Sequence, residues 1–108
     1  MSVGRESRRV ADQVAHWTPA RWRFATDDTG APTRAQAART LIQTLADLAA
    51  DAEGRPRRVV PRLPHDTALP DQLRVVGDDL DAADPDPATV AAARAAVAAA
   101  REVLFRIG

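Results

Sequence analysis

The chain has 108 residues, with fifteen basic and fifteen acidic side chains and no cysteine. That length sets one domain able to bury about two-thirds of its unfolded surface. The missing thiols exclude a disulfide scaffold and thiolate zinc sites. The neutral total gives no long-range steering toward nucleic acid or an anionic membrane. Every basic residue is arginine and alanine is heavily used, which points to a GC-rich bacterial genome. No stretch approaches the roughly 18 apolar residues of a membrane span. The opening MSVGRESRRV lacks the apolar core of a secretory signal, so the expected compartment is the cytoplasm.

The expected architecture is a single all-α domain over residues 1–108, with 1–4 frayed. It has a short helix over about 5–16, a helical turn over about 19–24, and three main helices over about 33–53, 70–82 and 87–106. In the first, Val10, Ala11, Val14 and Ala15 fall at helical spacing. Asp12 and His16 stand four apart, where a surface pair is expected. Thr18-Pro19 has the form of an N-cap and first helical residue. Arg21 to Phe24 also alternates as a strand would, but no second strand is on offer, because Pro61 interrupts the nearest candidate at Val59-Val60. Trp17, Trp22 and Phe24 supply three of the four aromatics, so this stretch is the expected bulky anchor of the core. Ala25 to Pro32, with Asp27, Asp28 and Gly30, is a polar turn.

The central helix is the best marked. Thr33 and Gln36 form a capping box. Ala38, Leu41, Ile42, Leu45, Leu48, Ala49 and Ala52 then make one apolar stripe, worth roughly 6–12 kcal/mol in its Leu and Ile side chains before entropy, at about 1.5–3 each. Gly54 can close the helix in the left-handed conformation. Asp47, Asp51 and Glu53 crowd an end where the helix dipole is already negative, and Arg55, Arg57 and Arg58 follow as charge compensation.

The next stretch, RPRRVVPRLPHDTALP, reads as an extended strap over 55–69, since its prolines remove backbone donors from any sheet. Val59, Val60 and Leu63 are expected to pin it to the helices. The third helix sets Leu69, Leu73, Val76 and Leu80 inward, with Gly77 marking a close approach by a neighbour. Asp78, Asp79, Asp81, Asp84 and Asp86 lack the glycine and glutamate of a calcium loop. Asp86-Pro87 restarts the chain. Val90, Ala93, Val97, Ala100, Leu104 and Ile107 form the last seam, with Arg94 and Arg101 on one stripe and Glu102 placed to pair with Arg106.

Alternating helix directions would put Arg34 and Arg39 at the same end as Asp78 to Asp86. If the strap runs back along the bundle, the third helix lies parallel to the central one instead. Sequence leaves both open.

No catalytic set is present. The serines, Ser2 and Ser7, fall near the frayed end, and no Gly-rich phosphate loop exists. His65-Asp66 beside Arg57, Arg58 and Arg62 is the best remaining constellation for an anion site or general base. The leading expectation is therefore a protein-interaction module, self-association through the 87–106 helix included, with no cofactor and no metal. The competing expectation is a small-ligand or anion-binding protein or enzyme, with a site under the strap formed by Arg57, Arg58, Arg62, His65, Trp17 and Trp22. A nucleic-acid-binding regulator ranks third, because the long strap breaks the short turn that a helix-turn-helix needs.

Overall fold

The computed structural model of the chain describes residues 2–25 and 30–106. Among the described residues five helices form: α1 (Val3–Val14), α2 (Pro19–Trp22), α3 (Arg34–Ala52), α4 (Leu69–Ala82) and α5 (Pro87–Leu104), with a 3-10 turn at Asp66–Ala68 leading into α4. No strand is found among the described residues. The fold is all-α, and among the described residues no helix is long and apolar enough to cross a membrane.

The helix ends follow their caps. The Thr33 hydroxyl accepts from Gln36 N–H at 3.0 Å, while the Gln36 side chain accepts from Thr33 N–H at 2.8 Å, which completes the capping box. Gly54 closes α3 at φ +69°, with Arg55 N–H donating to the Ala50 carbonyl and Gly54 N–H to that of Asp51; this is the Schellman arrangement. Thr18 and Asp86 cap α2 and α5, accepting from Arg21 N–H at 3.2 Å and Thr89 N–H at 2.8 Å. Asp84 sits at φ +52° in the turn between α4 and α5, a conformation that aspartate tolerates better than most residues.

Side-chain pairings fix the helix directions. Gly4 meets Asp81, Arg8 meets Asp78 and Asp12 meets Arg74, so α1 is antiparallel to α4. Glu6 meets Arg94 and Gln13 meets Arg101, so α1 is parallel to α5. Arg34 reaches the Arg106 carbonyl, while Leu41 and Thr44 share a groove with Ala96 and Ala100, so α3 is antiparallel to α5. It follows that α3 and α4 run the same way, joined by the strap as a long crossover. The alternating arrangement, with Arg34 and Arg39 beside Asp78 to Asp86, does not occur. Asp78 and Asp81 lie instead against the start of α1.

The core takes most of the predicted stripes, with Leu48 and Val90 half-buried at its margin and Ala52, at the end of α3, exposed. Leu41, Ile42, Leu45 and Ala49 of α3, Leu69, Leu73, Val76 and Leu80 of α4, and Ala93, Val97, Ala100 and Leu104 of α5 are buried. Ile107 falls outside the described residues, as do Asp27 and Asp28 of the polar turn. Trp17 and Trp22 stack edge to face at 4.9 Å, and Trp17 meets Phe105 at 5.9 Å, closing one end of the bundle. Arg34 lies over the Trp17 and Phe24 rings, at 5.1 and 4.3 Å. Burial first, and the nearby Arg21 charge second, hold its guanidinium below the ordinary arginine value.

Three local expectations are corrected. Residues 2–4 are not frayed: Ser2 caps α1, Val3 is buried, and Gly4 N–H donates to Asp81 at 3.1 Å. Ser7 is fully buried against Gly77. Asp12 pairs with Arg74 of α4 at 2.7 Å, and no pair between Asp12 and His16 is found among the described residues. Glu102 makes no ion pair with Arg106 among the described residues, since α5 ends at Leu104.

Candidate interaction surface

The strap crosses the groove between α3 and α4, and two glutamines hold it there. The Gln43 amide donates to the Arg58 carbonyl at 3.0 Å and to Asp47 at 2.8 Å, while its oxygen accepts from Val60 N–H at 2.8 Å. Gln72 donates to the Pro61 carbonyl at 2.9 Å. These amides take the place of a neighbouring strand, which Pro61 and Pro64 cannot pair with. Val60 is half-buried against the core. Val59 points outward, 87% exposed, and Leu63 is 43% exposed, so of the three residues expected to pin the strap only Val60 does so fully.

The basic residues of the strap divide into two sets. Arg55 pairs with Glu53 at 2.6 Å, and Arg57 with Asp51 at 2.7 Å and Asp47 at 3.9 Å, which is the predicted compensation of the α3 C-terminus. The hydrogen bond from Arg57 holds the Asp51 carboxyl below the usual aspartate range, and the same bond raises Arg57. Arg58 and Arg62 are exposed and have no carboxylate partner among the described residues.

Beneath the strap is a cleft of about 260 Å³, with Ile42, Val60 and Leu69 as its apolar wall and Arg39, Arg62 and His65 among its polar groups. The proposed constellation is only partly assembled there. Arg62 and His65 line it; Arg57 and Arg58 do not. Trp17 and Trp22 are buried in the aromatic end of the core and are absent from its wall. The Asp66 carboxylate is paired with Arg39, so it does not serve His65 as the adjacent positions in sequence suggested. Among the described residues, no group of three His, Asp or Glu side chains is arranged to hold a metal.

Sequence reasoning missed Gln43 and Gln72 as the strap's anchors and Arg39 as a cleft residue. All three read as ordinary positions on the solvent face of a helix. A polar residue at such a position carries the same pattern whether it meets water or a crossing segment, so periodicity could not single them out.

No protein-family model, curated protein or solved structure matches this chain.

Proposed function

We propose that this protein is a small, non-enzymatic interaction module that binds another protein through the strap. The carrying observation is that Val59 and Leu63 stand exposed on a segment held in place by Gln43 and Gln72, beside the Arg58 and Arg62 side chains, which have no carboxylate partner among the described residues. Exposed aliphatic side chains interleaved with arginine form the kind of surface enriched at protein interfaces. A strap already held on the bundle loses less conformational freedom on binding than a loose tail would. Its partner is a protein offering apolar pockets rimmed by carboxylates. A bacterial, cytoplasmic setting belongs to this reading, in keeping with the arginine-only basic set and the heavy use of alanine.

The ligand-site reading ranks lower because Arg39, the cleft's half-buried cation, is already neutralised by Asp66. Recognition of nucleic acid ranks lower still, given the neutral chain and the long crossover between α3 and α4.

A photo-crosslinking side chain placed at position 59, with position 20 as the control face, tests the proposal in the native cell. A discrete protein adduct from 59, absent from 20 and lost with Arg58→Ala plus Arg62→Ala, is the expected result. Equal adduct patterns from both positions, or none from 59, would overturn it.

A further inference from the structure

We propose that the protein pairs with a second copy of itself, the outer face of α4 docking along the seam between α1 and α5 of the partner copy. This contact lies away from the strap and does not depend on the strap's role.

The receiving surface is a groove of about 370 Å³ lined by Glu6, Arg9, Arg94, Val97, Ala98 and Arg101. Among the described residues, three guanidiniums line it beside one carboxylate. Arg94 pairs with Glu6 at 3.4 Å, while Arg101 donates to Gln13 at 3.3 Å and lies over the Phe105 ring at 5.2 Å, so the arginines are held in position and the groove keeps a positive excess. Arg94, Ala98 and Arg101 fall at i, i+4 and i+7, which places them on one edge of α5.

The outer face of α4 carries the complement at the same spacing. Asp71, Val75 and Asp78 are also i, i+4 and i+7, with Asp79 flanking them. Val75 is 58% exposed and is the one large exposed apolar side chain outside the strap among the described residues. Seven residues of helix span about 10.5 Å on both surfaces. Two carboxylates therefore reach two guanidiniums while Val75 projects over the small Ala98. Asp71 and Asp78 already meet Arg74 at 2.8 Å and Arg8 at 2.5 Å, but these carboxylate side chains are 84% and 53% exposed. Such solvated surface pairs contribute little and can be shared with an incoming arginine.

The second copy is favoured over a foreign acidic helix because the matching face is present on the chain itself. Its neutral total also leaves no net repulsion between copies. Both surfaces flank α1, so a two-fold axis beside α1 makes the contact twice and closes the assembly as a dimer.

Light scattering and sedimentation of the full chain test this. The wild type is expected to be a dimer at low salt, with dimerisation weakened at least tenfold at 0.5 M salt. Arg9→Glu with Arg101→Glu, and separately Asp71→Arg with Asp79→Arg, are each expected to be monomeric with unchanged helical circular dichroism. An equimolar mixture of the two variants restores both contacts at once and should recover the dimer, which also shows that each variant folds. Val59→Ser with Leu63→Ser should leave dimerisation untouched, separating this contact from the strap. A wild type that stays monomeric at millimolar concentration, or a mixture that fails to pair, would overturn the proposal. So would dimerisation that survives either charge reversal.

Discussion

Replacing Gly77 with alanine sets two opposing effects against each other at the closest approach of α1 and α4. A Cβ at position 77 would lie 2.7 Å from Ser7 Cβ, 2.9 Å from its Oγ and 3.4 Å from Gly4 Cα. Carbon atoms rest about 3.5–4.0 Å apart, so the overlap is roughly 1 Å. Ser7 Cβ is fixed by its own helix and cannot swing aside. The helices must separate, and overpacking of this kind costs about 1–3 kcal/mol. Alanine returns about 1 kcal/mol in helix propensity, which leaves a net loss of about 1 kcal/mol. In a domain of this size that lowers the melting midpoint by roughly 4–8 °C. Urea unfolding at constant m-value reads the free-energy change. Repeating the substitution in a Ser7→Gly background removes the obstruction, and Gly77→Ala should there become stabilising. An alanine at 77 that stabilises both backgrounds equally would refute the close approach of the two helices.

Ser7→Ala should raise stability by about 1 kcal/mol in the same urea assay, because the buried Ser7 hydroxyl has no partner among the described residues. Leu45→Ala, at a fully buried position, should cost about 2–5 kcal/mol by denaturant midpoint. Asp84→Gly should add about 1 kcal/mol by relieving the left-handed backbone at φ +52°. The Asp86 carboxyl is held below its ordinary value, chiefly by the Thr89 N–H. Its stabilisation is therefore complete above the unfolded value of about 3.9 and is lost as pH falls through the lower native value. Asp86→Asn should flatten that part of the acid unfolding curve, and an unchanged acid limb would count against the cap.

The elements legible in the sequence were those whose signal is local. Thr33 with Gln36, Thr18 with Pro19 and Asp86 with Pro87 each mark a helix start within four residues, and the structure places helices there. Gly77 was readable as a contact point because glycine inside a helix carries a propensity cost that a close neighbour explains. The direction of α4 was not readable: the strap is long enough to return along α3 or to remain at its end, and tertiary pairings such as Asp12 with Arg74 decide between these. The candidate site was legible as a stretch and not as a geometry. The dipole argument places Arg57 on the α3 carboxylates, as found, whereas of the two readings of Trp17 and Trp22 the core anchor holds and the cleft wall does not. Val59 and Val60 are adjacent and identical in type, and only the amide of Gln43 distinguishes the inward one from the outward one.

Binding through the strap requires it to be held on the bundle as a ready-made surface, and amide hydrogen exchange of the native protein tests that most directly. The Val60 N–H, bonded to Gln43 at 2.8 Å, should exchange well below the free-chain rate, and Gln43→Ala should return it to that rate while α3 stays protected. A Val60 amide that already exchanges as an unstructured peptide in the wild type would contradict a strap held on the bundle.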